Sequence, residues 1–249
     1  MTDEPSEIER DTAWFFNFYR QRLANVAALA SGDLKVPIGR PEVAASFDPE
    51  VHVLVAAGLD SLARHWGHTF NKGLGARTRM GEFLAIHGGH AAFLKCSAPH
   101  LLLRAKAFPD LIPAVRRYLG NEKFTGGNVR HWHHDPDYAV VAADPPFASV
   151  DRKPFWPRSS RYGELLYTEY RTSWLHEYRA SINLASDHEE SDRIEPSYEN
   201  MNWSRPRPGR PSRMQRPRFT KGFLLATYNV AIESFERECR SAGVAPKVD

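Results

Sequence analysis

Apolar residues along this chain recur at helical rather than strand spacing. Between 8 and 30, Trp14, Phe15, Phe18, Tyr19, Leu23, Val26 and Ala27 return every three or four residues, and Ser31-Gly32 supplies a stop, so the pattern predicts a first helix there. Asp48-Pro49-Glu50 reads as a helix start, with Pro where its missing N–H costs nothing. Val51, Val55, Leu59, Leu62 and Trp66 then trace one apolar stripe. A third segment over 77–94 carries Met80, Phe83, Leu84 and Phe93, with Gly88-Gly89 as a candidate break. Residues 101–119 predict a further helix that Pro109 and Pro113 must shorten or kink. The last helix spans 220–239, with Phe223, Leu224, Tyr228, Ile232 and Phe235 on one side, and closes at Gly243.

Two stretches break this rhythm. From 120 to 157, Gly126-Gly127, Pro136, Pro145-Pro146, Pro154 and Pro157 disfavour regular structure, leaving Tyr138-Ala139-Val140-Val141-Ala142 as a candidate short strand. The stretch reads as a long surface insertion. Helix resumes at Ser159-Ser160, read as a cap with Glu164 behind it, and runs to about 185, where a hydrophilic loop over 186–218 begins. The sum is an all-α antiparallel helical bundle of five or six main helices. It forms a single domain over 1–249, with an irregular insertion at about 120–157 and a basic loop at about 186–218. There is no internal repeat, and no Gly-rich loop between a strand and a helix, which argues against a nucleotide-binding α/β unit.

Composition narrows the setting. Hydrophobic content of 42% with 25% charged residues is that of an ordinary globular domain. The acidic, polar N-terminus does not resemble a signal peptide, and no apolar run approaches the length of a membrane helix. Two cysteines, Cys96 and Cys239, fit a reducing compartment better than a disulfide framework, so a cytoplasmic protein without membrane contact is expected. With a net charge of only +3, nucleic-acid affinity would have to come from local patches. One such patch is Arg205, Arg207, Arg210, Arg213, Arg216, Arg218 and Lys221, a Pro-rich strip without an acid. It is suited either to salt-sensitive phosphate contacts or to a solvated loop balanced by Asp187, Glu189, Glu190, Asp192 and Glu195 upstream.

Candidate chemistry concentrates in Tyr170-Arg171-Thr172-Ser173-Trp174-Leu175-His176-Glu177-Tyr178. A permanent cation and an imidazole that titrates near neutrality are enough to cleave RNA without a metal. Arg171 and His176 lie five residues apart, about 140° around an ideal helix, so their convergence needs long side chains, a distorted turn or a second copy of the motif. The bland reading is a snorkelling Arg beside a surface His. Tyr167, Tyr170, Trp174, Tyr178 and Ile182 recur at helical spacing as a core or interface stripe. A second constellation, His131-Trp132-His133-His134-Asp135-Pro136-Asp137, holds metal-ligand types without a partner motif; Arg130 and Trp132 offer charge and stacking to a nucleotide instead. His87-Gly88-Gly89-His90 reads as a helix junction. No metal and no cofactor is assigned.

The Arg171–His176 spacing, followed by His176-Glu177-Tyr178, resembles the Arg-x4–6-His motif of the HEPN superfamily, all-helical proteins that include many bacterial RNases of defence and toxin–antitoxin systems. Leu59-Asp60-Ser61-Leu62-Ala63, Arg79-Met80-Gly81-Glu82-Phe83-Leu84 and Phe235-Glu236-Arg237-Glu238-Cys239 look like uncharacterised bacterial HEPN-like proteins. The resemblance covers the helices and not the insertion. It implies a metal-independent endoribonuclease leaving a 2′,3′-cyclic phosphate, with Arg171, His176 and Thr172 as site residues and a homodimer as the working form. Thr172 departs from the Asn, Asp or His usual after the motif Arg, which favours the alternative of a catalytically inactive scaffold that binds RNA or a protein partner. Tyr178 resembles a modification site that a nucleotidyltransferase antitoxin adenylylates in some HEPN toxins; an interface or core Tyr is the plainer reading. A metal-dependent hydrolase built on the His131–Asp137 loop stands as a third possibility.

Overall fold

The computed structural model describes residues 4–31, 48–119, 130–148, 155–173, 194–202 and 213–248. The chain folds as a mostly helical bundle with one two-stranded hairpin among the described residues. Helix α1 (Glu7–Ser31) opens with a reciprocal cap: the Glu9 carboxylate accepts from the Ser6 N–H at 2.7 Å while Ser6 Oγ accepts from the Glu9 N–H at 3.3 Å. Helix α2 (Asp48–Thr69) runs antiparallel to α1, as Tyr19 meets Ser61 at 2.6 Å and Phe15 stacks edge-on against His65. The last helix, labelled α9 below, spans Lys221–Ala242, is capped by Thr220 and ends on Gly243 at φ 63°, a left-handed C-cap for which glycine is the low-cost residue. It too opposes α1: Lys221 reaches the Ala30 carbonyl at one end, and Arg20 pairs with Glu236 nearer the other.

Helix α3 (Ala76–His87) stops where Gly88-Gly89 was expected to break it; Gly89 sits at φ 68°, and His90 starts a 3-10 turn at Ala91–Leu94. The apolar stripes read from sequence meet in one core that contains Phe16, Leu59, Leu62, Trp66, Phe83, Phe223, Ile232 and Phe235. Pro109 splits the segment expected over 101–119 into α4 (Ala98–Ala105), a 3-10 turn and α5 (Ile112–Leu119).

Four expectations need correction. Tyr138–Ala143 is helix α6 and not a strand; it satisfies its backbone locally, with no neighbouring strand to pair with among the described residues, and buries Val141. The stretch read as a long surface insertion instead builds a second core, in which Val141 and Phe147 join Cys96, Leu101, Leu111 and Val115. The loop expected over 186–218 contains two strands, β1 (Ser197–Asn202) and β2 (Arg213–Arg218), paired antiparallel with Glu199 opposite Arg216. Helix α7 (Phe155–Arg158) leads into α8 (Tyr162–Leu165), whose N-cap is Arg161; Ser159 and Ser160 are buried and do not cap it.

A buried polar network joins the two cores. Asp135 accepts from Arg130 Nε at 2.8 Å and from the Ala98 N–H at 3.2 Å on one oxygen, and from the Tyr162 and Tyr198 hydroxyls at 2.6 Å each on the other. The guanidinium also donates to the carbonyls of Tyr118, Leu119 and His134, so it closes the C-terminal end of α5. Burial pushes both phenols well above their ordinary range, keeping them protonated as donors.

Candidate active site

The motif helix begins at α8 and widens into a π turn at Leu166–Arg171. Two threonines accompany that change. Thr168 Oγ1 donates to the Glu164 carbonyl four residues back at 2.9 Å, and Thr172 Oγ1 donates to the Tyr167 carbonyl five residues back at 3.1 Å. Side-chain donation of this kind competes with the backbone ladder and bends helices, and single π turns recur at functional sites. Tyr170 pins the turn to the core, buried between His52 and Phe219 with ring centroids 5.4 and 5.8 Å away.

Arg171 emerges at the end of the turn. Its Nη2 lies 3.0 Å from Asp60 Oδ2 on α2, and its guanidinium sits 5.2 Å over the Tyr167 ring. The side chain keeps 27% of its surface exposed, so a planar cation is oriented by a carboxylate and an aromatic face while still open to solvent. Asp60 belongs to one of the segments that carry the family resemblance. Thr172 spends its hydroxyl on the backbone. His176 and Tyr178 lie outside the described residues, as do Arg205, Arg207 and Arg210.

The described part of the basic strip does not form one open surface. Arg213 is in β2 opposite Asn202; Arg216 is buried and pairs with Glu199 at 3.4 Å; Arg218 is half-buried opposite Ser197; Lys221 is tied to the last turn of α1. Strand pairing thus places Arg216 and Arg218 partly or fully inward, and Lys221 is held at α1, so these three do not make the expected Pro-rich display. The His131–Asp137 loop is also reassigned. Asp135 is committed to Arg130 and the two tyrosines, and Asp137 pairs with Lys95 at 3.1 Å. Trp132 donates to Glu195, and Arg130 is buried, so neither is disposed to hold a nucleotide. Among the described residues no group of three His, Cys, Asp or Glu side chains is disposed to hold a metal ion.

One feature beneath the motif escaped the sequence reading. Glu164, expected behind a serine cap, is fully buried, with Arg77 Nε at 2.9 Å and Arg158 Nε at 3.8 Å from its oxygens. Arg161 turns instead to Glu82, at 2.7 Å, and Arg158 lies between the two carboxylates, with Nη2 3.9 Å from Glu82. Gly81 makes this possible, since a Cβ there would lie 2.7 Å from Glu164 Cγ. The available signal was a lone carboxylate inside Gly-Glu-Leu-Leu-Tyr with arginines three and six residues before it.

Burial pushes the Glu164 carboxyl up to about 7, against the pull of Arg77, Arg158 and Arg161. An acid with a raised folded pKa binds its proton more tightly in the native state, so the stability it confers is present at low pH and lost as pH rises from its unfolded value toward 7. His87, driven down to about 4 by burial and then by Arg237 and Lys72, acts in the opposite sense over much of the same range. Wild-type stability alone thus conceals both. Comparison of wild type with Glu164→Gln isolates the carboxyl: the variant's relative stability is expected to improve by up to about 3 kcal/mol between pH 5 and pH 8. Urea unfolding at the two pH values measures it, and a pH-independent difference would rule out a buried, proton-binding Glu164.

Comparison with family models, curated proteins and solved structures returns no match to this chain. No helix among the described residues is long and apolar enough to cross a membrane.

Proposed function

We propose that this chain is a metal-independent endoribonuclease of HEPN type, acting as a homodimer in bacterial defence or as a toxin. The observation that supports the reading is Arg171, presented at the end of a π turn with its charge oriented by Asp60 and Tyr167 and part of its side chain still exposed. In this mechanism His176 removes the proton from the ribose 2′-hydroxyl, whose oxygen attacks the adjacent phosphorus. The P–O5′ bond breaks, and the departing 5′-oxygen takes up a proton from the His176 imidazolium, which returns to its neutral form. Arg171 binds the phosphate with paired N–H donors and offsets the charge that accumulates on its oxygens. A two-fold dimer lets each cleft draw on both copies of the motif. A nucleotidyltransferase or another defence protein is the kind of partner that would silence the site, through Tyr178.

The second reading is an inactive scaffold that binds RNA or a protein partner. Two facts favour it: Asp60 already neutralises Arg171, and the Thr172 hydroxyl is occupied by the Tyr167 carbonyl. The experiment that separates them is cleavage of total cellular RNA by the purified chain in excess EDTA. The expected result is cleavage with 2′,3′-cyclic phosphate ends. RNA left intact across a concentration series would remove the nuclease reading and leave the scaffold.

A further inference from the structure

A cavity of about 380 Å³ lies where the end of α2, the loop into α3 and the C-terminal tail meet, lined by Gly67, His68, Asn71, Gly73, Leu74, Arg79 and Lys247. Among the described residues its lining has two permanent cations, an imidazole and an amide, and no carboxylate. The sequence around it is biased the same way, since residues 61–81 contain no Asp or Glu. Arg79 Nε is shielded from solvent yet has no hydrogen-bond partner among the described residues. A guanidinium donor withdrawn from water and left unmatched is costly unless a ligand completes it.

The site is built rather than incidental. Arg79 reaches it by crossing Gly67, where a Cβ would lie 2.4 Å from Arg79 Cδ, so only glycine leaves room. Asn71 at φ 50° and Gly73 at φ 59° turn the chain around the rim. Lys247 is fixed there by its backbone, whose N–H donates to Thr69 Oγ1 at 2.9 Å and whose carbonyl lies 2.7 Å from His65 Nδ1. The end of a helix would ordinarily repel an anion through its free carbonyls. Here the carbonyls of Trp66, Gly67 and His68 accept from Phe70, Lys72 and Asn71.

We infer that this cavity is a phosphate-binding subsite that takes a backbone phosphate of a single-stranded nucleic acid. The choice of a strand rests on the proposed function: Gly67 follows Asp60 on one face of α2, which places the cavity about 10 Å along the helix from the Asp60–Arg171 pair. A strand held at Arg171 reaches the cavity within a few nucleotides.

The test is fluorescence anisotropy of the full chain with a labelled 2′-deoxy hexanucleotide, which has the phosphates but not the attacking hydroxyl, with pyrophosphate as competitor. Arg79→Gln is expected to weaken binding about tenfold, as loss of a charged hydrogen bond predicts. Lys247→Gln is expected to weaken it about threefold, and each substitution should reduce the salt dependence by about one counterion. Competition by pyrophosphate that Arg79→Gln abolishes supports the site as one for phosphate itself. Equal affinity in wild type and both variants overturns it, as does failure of both probes to bind. Should Arg79→Gln not fold, Lys247→Gln, on an exposed tail, decides alone. Because the probe cannot be cleaved, this result is independent of nuclease activity: an RNase without the subsite and a subsite without an RNase give different patterns in the two assays.

Discussion

His176→Ala is expected to reduce RNA cleavage in EDTA by about 10²–10⁴-fold, the range that loss of a positioned general acid–base commonly produces. Arg171→Ala is expected to fall in a similar range, and the double variant hardly lower than the worse single, because residues acting on one step fail as a unit. Arg171→Lys separates charge from shape. Lysine keeps the cation but loses the planar fork that spans two phosphate oxygens and the face that lies over Tyr167. It should recover a minor part of the activity. The losses at Arg171 should not come from unfolding, since its pair with Asp60 is partly exposed, 27% and 20%, and such pairs contribute up to about 1 kcal/mol. Melting curves of the variants check this. A His176→Ala chain that cuts at the wild-type rate would end the proposal, whatever Arg171 does.

Those residues were visible in the sequence because the motif is local. So were the long helices, where a single stripe faces a single core: α1, α2 and α9 end within a residue or two of where Ser31-Gly32, Asp48-Pro49 and Gly243 placed them. What was not visible depends on partners distant in the chain. Val140 and Val141 favour a strand locally, yet six residues of helix bury Val141 against Leu111 and Val115 at no cost to the backbone. The β-hairpin is disguised because β2 reads Arg-Met-Gln-Arg-Pro-Arg, with Pro217 opposite Tyr198 and none of the alternation that marks a half-buried strand. Asp60 acquires a role only when α2 is laid against the π turn. The cavity beside Arg79 depends on Gly67 in another helix and on Lys247 at the far end of the chain.

Asp135→Ala should be the most damaging single change to the fold. It removes the acceptor of four donors and leaves Arg130, with only 1% of its side chain exposed, as an uncompensated buried charge. Breaking one partner of such a pair costs about 3–5 kcal/mol, and at about 2–4 °C per kcal/mol for a chain this long the midpoint should fall by roughly 10 °C. Tyr198→Phe keeps the ring and loses one hydroxyl, so about 1–2 kcal/mol is expected. The informative comparison is Arg130→Met with Asp135→Leu. If the network's main contribution is to avoid unpaired burial, the double variant is more stable than Asp135→Leu alone, because no charge is stranded. The carbonyls of Tyr118, Leu119 and His134 would still lose their donor, so full recovery is not expected. A double variant as unstable as the sum of the singles would mean that Arg130 and Asp135 act separately, one closing α5 and the other anchoring the two tyrosines. In that case the second core would be fastened to the bundle by the hydrogen bonds of Asp135 to Tyr162 and Tyr198 and not by the ion pair.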